Sequence, residues 1–560
     1  MANLTRSQSN NIKSPVGNSL ATFVDGISGA LLLKDINGNV EPITNYVGGG
    51  GGGTNSPFQN GVGEGSIQPV LGSNYSLSFY STIGGGVANF NCYNSNLSVV
   101  GGGASNKTES CFDFIGGGNL NTTNSGNGFS VIAGGRFNHS YACNTVNGGG
   151  IANIICGNFG TIIGGQENAV LGIYGTIGGG IYNIANCKSS FIGGGYQNVV
   201  GDDFTVIGGG KLNLVCQRFS SIVGGYLNCT LGVYNIIGGG YYNCTDNAYS
   251  AIVGGHNNKA LGNSSFIGSG TNNTASGNLS FIGGGNCNTV SQTTCFSSVV
   301  GGQSNSVESS FAFIGGGCVN YISATGCFSA IVSGQQNCIF GEKSFIGSGY
   351  LNKICSNLSI IGGGCKNATY GNNTGIVGGY YNKVFGDCSA ILGGQSNLVC
   401  GLNSVVGGGL NNQALGDCTF VGGGKCNIAN GNKNTIVGGG YQCIAINTSL
   451  NFIGGGYYNN IVCGSTNVIA GGYKNNICGA YNFIGGGSQN CITASYSGII
   501  GGLTNSVVNN YSFIAGNKII TDRDCTLFVN NLSIKDICTS YSGLPSGAVF
   551  SDGGRLCIVV

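Results

Sequence analysis

The chain has 560 residues, of which only 7% are charged, with a formal net charge of +2. That balance leaves no basic footprint for nucleic acid and no acidic tail. No run of 18 apolar residues offers a membrane span, and the 111 glycines disfavour helix throughout.

Residues 1 to 53 lack the pattern that fills most of the chain. Ala30 to Lys34 and Val40 to Ile43 flank Asp35-Ile36-Asn37-Gly38-Asn39, which predicts a β-hairpin around an Asn-Gly turn. The six glycines Gly48 to Gly53 make a flexible joint behind it. We read this part as an attachment segment. The N-terminus has no apolar run of the secretory kind. In residues 54 to 80, Ser66-Ile67-Gln68-Pro69-Val70 is an extended stretch expected to cover the first turn of the repeat.

From 81 to 517 a single motif recurs. Ser190-Phe191-Ile192-Gly193-Gly194-Gly195-Tyr196-Gln197-Asn198 is typical, and with Gly193 as place zero the same place returns at Gly208, Val223, Gly238, Val253, Gly268 and Gly283, six steps of 15. Such a period predicts a solenoid. Extending it gives 29 triplets from Gly84 to Ala515. Ile or Val precedes the triplet in 28 of 29, with Asn147 the exception, and the third triplet residue is Gly in all but Asn517. Asn follows three residues later in 27, Cys443 and Ile520 being the exceptions.

A coil of 15 residues is about 50 Å of extended chain, which suits short strands and turns. The Ile/Val row is then the inward row, each burial contributing about 1.5 to 3 kcal/mol. The fixed Gly implies positive φ or no room for a Cβ. The Asn fits the corner, where it tolerates left-handed backbone and bonds to identical amides above and below. The fold class is therefore all-β, a parallel β-solenoid or β-roll of about 29 coils, which at about 4.8 Å per coil makes a rod of roughly 140 Å.

Steps of 17 occur from Gly84, Gly116, Gly283 and Gly315, with the Asn in place, so the extra residues belong to a loop in the far half of the coil. Steps of 16 are counted from Gly422 through Gly438 and Gly454 to Ala470. After 517 the repeat fades, and 518 to 560 is expected to be a C-terminal β cap. It has a strand over Thr526 to Ile534, a turn at Gly543 to Gly547 and a closing hairpin over Phe550 to Val559.

The 26 cysteines never form Cys-x-x-Cys. Cys216, Cys355, Cys400 and Cys478 share the place eight after zero, and Cys229, Cys244, Cys338 and Cys491 the place six after it. They are expected to be reduced and buried as small hydrophobes. No cofactor or metal is expected, and no enzyme: adjacent Asp202 and Asp203 read as a solvated turn, while His139 and His256 lie too many coils apart to share a site. No Gly-Lys-Ser/Thr follows any triplet, so a phosphate cradle has no support. The surface feature singled out is a run of aromatics just after the triplet: Tyr196, Tyr226, Tyr241, Tyr242, Tyr350, Tyr380, Tyr381, Tyr457, Tyr458 and Tyr473. Such a stripe either contacts a sugar or protein receptor or packs on neighbouring coils and chains.

The repeat, as in Ser190 to Gly201, resembles the head repeats of trimeric autotransporter adhesins over about residues 66 to 517. The resemblance implies a left-handed roll, a homotrimer and a surface-displayed adhesive rod. The chain departs from that family in having no signal peptide and no membrane-anchor strands. Its ends, Ser66 to Val70 and Gly543 to Val560, look instead like those of viral and phage tail-fibre proteins carrying the same repeat. The expectation is thus a non-enzymatic virion fibre, made in the host cytoplasm and released to the virion surface. It would attach to the particle through one terminus and bind a host-surface glycan or protein. The alternatives are a cellular surface adhesin exported by another route and a fibre-borne polysaccharide depolymerase.

Overall fold

The computed structural model describes residues 73–530 apart from 125, 127, 447 and 448, with three strands before that span and parts of 531–558 after it. Two compact units carry the coils, Met1–Ser306 and Val307–Val560. The chain is an all-β parallel solenoid of about 30 turns.

Each ordinary coil has the same parts. A two-residue strand such as Phe191–Ile192 precedes the glycine triplet, and a second such as Val199–Val200 follows the Asn. Between them one residue, here Tyr196, makes a single parallel bridge to the coils on either side. Pairing along the stack is parallel and in register by one period. Ile177, Ile192, Ile207, Ile222 and Ile237 face one another in the first unit. In the second unit Ile331, Ile346, Ile361 and Ile376 do the same. All are at most 1% exposed, so the Ile row is the core. Because side chains alternate along a strand, the second strand also sends one row inward, at Val200 and Val215, with Thr230 and Thr245 taking the same place. Asn147, the exception in the Ile row, is buried with its amide bonded to the Asn153 carbonyl and its Oδ1 accepting from the Gly149 N–H.

The third glycine of the triplet satisfies both conditions set for it. Gly195 has φ +100°, and a Cβ there would stand 2.0 Å from the Gly210 carbonyl oxygen and 2.6 Å from Asn198 Nδ2. The Asn row forms an amide ladder in each unit, interrupted in the second at Cys443. Asn198 donates through Nδ2 to the carbonyls of Gly194 (3.0 Å) and Gly210 (2.9 Å), while its Oδ1 accepts from the backbone N–H of Asn213 at 3.0 Å. It does not hold the left-handed backbone expected of it. That falls on the residue before, Gln197 (φ 53°), Leu212 (56°), Leu227 (55°) and Tyr242 (55°). The left-handed turn reverses the peptide, so Gln197 N–H bonds back to Ile181 while Tyr196 N–H bonds forward to Gly210. A second left-handed place, at Phe204, Phe219 and Tyr234, does the same in the far half of the coil.

The 17-residue coils carry their extra residues where expected: Cys92 to Ser98 and Ser323 to Ser329 each contain two turns instead of one. The count of 16-residue steps is corrected. Val421, Ile436, Ile453 and Ile469 are register partners, so the inner row steps by 15, 17 and 16. Register follows the buried Ile and not the glycines: Val437 takes place zero, and Cys443 takes the Asn place, its N–H bonded to Asn427 Oδ1 at 2.9 Å.

At the N-terminal side, Leu31–Lys34 and Val40–Pro42 form the expected antiparallel hairpin, joined by a third strand, Ala21–Val24. The turn between the hairpin strands, the glycine run and residues 66 to 70 lie outside the described residues. The coil pattern already operates at Asn74, whose Oδ1 accepts from Asn89 N–H at 2.9 Å. At the other side Phe513–Ala515 pairs with Leu527–Val529, and an antiparallel hairpin, Val549–Asp552 with Arg555–Ile558, lies beyond it in the chain.

Candidate functional surface

Since the inward rows are filled by Ile, Val, Asn, Ser and Thr, any recognition lies on the outward rows. The ten tyrosines fall on two adjacent ones. In the first unit Tyr196, Tyr226 and Tyr241 are bridge residues in the series Tyr196, Lys211, Tyr226, Tyr241, His256. Tyr242 occupies the left-handed place beside them. In the second unit Tyr350, Tyr380, Tyr457 and Tyr473 are bridge residues, whereas Tyr381 and Tyr458 are left-handed.

Several rings on these rows pack against a neighbour in the chain while remaining exposed. Tyr226 stacks on Tyr241 at 5.0 Å, and Tyr241 on His256 at 5.0 Å. Lys211 Nζ lies 5.2 Å from the centre of the Tyr196 ring and 5.5 Å from that of Tyr226. Lys474 sits likewise between Tyr458 and Tyr473. A coil spacing near 4.8 Å suits ring stacking, so adjacent aromatics in a row bind one another and present edges and hydroxyls. Packing on neighbouring coils thus accounts for these contacts.

A second aromatic row was not anticipated from the sequence. Phe204, Phe219, Tyr234 and Tyr249, at the far left-handed place, stack at 5.3, 4.9 and 5.0 Å. Tyr481, Tyr496 and Tyr511 stack similarly in the second unit. The signal was present, an aromatic four residues before place zero at each step of 15.

The outer side of the strand before the triplet is apolar and obeys a size rule. Phe occupies it in ten coils, followed two residues later by Gly in nine and by Ala515 in the tenth. The Phe191 ring edge lies 3.6 Å from where a Gly193 Cβ would be. Where place zero carries a branched residue instead, the earlier residue is small: Thr161 with Ile163, Ser221 with Val223, Ala251 with Val253, Gly375 with Val377, Gly498 with Ile500. Phe191, Phe281, Val223 and Val253 are all exposed in the first unit, as are Phe345, Phe420, Val377 and Ile500 in the second.

The expectation for the cysteines is corrected twice. Cys463 and Cys478, on neighbouring coils with Cα atoms 4.7 Å apart, form a disulfide. The free cysteines among the described residues are half-buried or exposed, except Cys443. Places six and eight flank the inward place seven and therefore face out. Asp202 and Asp203 lie in a turn, as expected, and tie coils together: Asp203 Oδ1 accepts from Lys188 N–H at 2.9 Å and Asp202 Oδ2 from Arg218 N–H at 3.2 Å. His139 is half-buried beside Tyr141, at 5.5 Å between rings, and desolvation pushes its pKa below the usual imidazole value.

The geometry defines a β-solenoid repeat protein. No protein-family model matches the chain, and no curated protein matches it.

Proposed function

We propose that the chain is the structural and adhesive fibre of a virion, a homotrimeric left-handed rod that carries a recognition surface away from the particle toward a host-surface glycan or protein. The supporting observation is the apolar outer face of the strand before the triplet and of the place that follows it, where Phe191, Phe281, Val223 and Val253 in the first unit and Phe345, Phe420, Val377 and Ile500 in the second all stand exposed. Exposed apolar area of this extent marks an interface, and a closed symmetric homo-oligomer covers it without leaving a free copy. The resemblance to trimeric adhesin heads supplies the number three.

Sedimentation equilibrium of the full chain tests the assembly. The expected mass is three times the 56.4 kDa chain, and a monomer removes the proposal's basis. Electron microscopy of purified particles with an antibody against residues 1 to 50 tests the location. Label on the particle supports the fibre. Particles lacking the chain favour the second reading, an exported cellular adhesin. The Cys463–Cys478 disulfide supports that second reading, since disulfides persist mainly in oxidising compartments.

A further inference from the structure

One of the ten tyrosines borders a recess. In the second unit the left-handed row runs Tyr381, Ser396, Asn411, and the next outward row runs Lys383, Leu398, Gln413 in register. Where Ser396 follows Tyr381 the phenol is not continued, and a recess of about 350 Å³ opens between the two rows, lined by these six residues and Asn397. That volume lies within the range of small-ligand sites.

Its chemistry is one-sided. Lys383 is the only charged residue in the lining. Its ammonium lies over the Tyr381 ring, 4.6 Å from the centre, and 3.4 Å from the phenol oxygen. None of the ion pairs among the described residues uses it. Asn411 and Gln413 add carboxamides, which both donate and accept, and half-buried Leu398 with Tyr381 adds an apolar wall. A ligand complementary to this set carries one negative charge, several hydroxyls and a C–H face.

We propose that this recess binds a carboxylated sugar residue of the sialic or uronic acid type, its carboxylate on Lys383 and its hydroxyls on Asn411 and Gln413. The proposal deepens the attachment reading and rests on it for the partner being a surface glycan.

The test is titration calorimetry of the full-length protein with 3′-sialyllactose, an unsulfated hyaluronan tetrasaccharide, and lactose as the neutral control. At least one acidic sugar is expected to bind about tenfold or more tightly than lactose. Binding of one alone assigns the source, and binding of either supports the site. Lys383→Gln is expected to weaken it about tenfold. Ser396→Tyr is expected to abolish it by filling the recess without disturbing the fold, because Tyr already occupies this row at Tyr381 (φ 59°) and Tyr458 (φ 57°). An unchanged melting temperature verifies that. Equal affinity for lactose, no binding of either acidic sugar, or full affinity in both variants overturns the proposal. Those failures leave the trimer mass and particle labelling untouched, so a wrong site and a wrong fibre are separately visible.

Discussion

A single asparagine ties three successive coils together. Asn198 is fully buried, and its amide joins its own coil to both neighbours: it accepts from Asn213, donates to Gly210, and its backbone N–H donates to Asn183 Oδ1 at 3.0 Å. A buried polar group left unpaired costs about 1 to 3 kcal/mol. Asn198→Ala removes the acceptor for Asn213 N–H without supplying another, and is expected to lower stability by that amount. Asn198→Asp keeps the acceptor but sets a carboxylate against the Gly194 and Gly210 carbonyls, and is expected to cost more. Urea unfolding midpoints measure both, with m unchanged. A neutral result for Ala means that the ladder contributes register without stability. Cys443 shows what the place tolerates naturally. It keeps the N–H bond to Asn427, but its thiol makes only longer contacts to the Gly455 and Gly456 carbonyls, at 3.7 and 3.4 Å.

At the scale of the coil, the outer strand face couples residues two apart. Gly193→Val is expected to destabilise by about 1 to 3 kcal/mol, the usual cost of overpacking, since it crowds the Phe191 ring edge and the Gly208 carbonyl. Phe191→Ser/Gly193→Val reproduces the Ser221 and Val223 pair found two coils on, and is expected to recover the part of the loss owed to the ring, the Gly208 carbonyl still having to give way. A double-mutant cycle returns the coupling, and strict additivity would sink the size rule. What was legible in the chain at this scale came from repetition. The Ile row, the Gly with positive φ and the amide ladder all recur at one spacing and need no tertiary information. The left-handed corner was misplaced because it has no residue signature: Gln197, Leu212 and Tyr242 share it, as coil stacking overrides a preference of about 1 to 2 kcal/mol. The cysteines were misplaced because ladder spacing was read without strand alternation, which sends places six and eight outward. As for the tyrosines, whether a ring is continued along its row depends on the residue one period away, Lys211 for Tyr196 but Ser396 for Tyr381.

For the whole molecule, the physical problem lies at the ends of the stack. An interior coil bonds to two neighbours and contributes the same interface each time, so a solenoid behaves nearly as a one-dimensional array whose terminal coils are its weak and sticky members. Electrostatic repulsion offers little protection here, because a net charge of +2 over 560 residues does not keep open strand edges apart. The second unit instead covers its last ladder strand, Phe513–Ala515, with Leu527–Val529, beyond which lies the Val549–Asp552 and Arg555–Ile558 hairpin. Removing 518–560 takes away that cover and leaves the Phe513 N–H without the Thr526 carbonyl to which it donates, while Ile514 keeps its bond to the preceding coil. The shortened chain is expected to associate end to end, its sedimentation coefficient rising with concentration above that of the intact assembly. Phe513→Lys in the shortened chain is expected to suppress the growth, because a lysine on an open edge opposes further strand addition. If the shortened chain sediments like the intact one at every concentration, residues 518–560 do not act as a cap and the last coil must be closed by its own side chains.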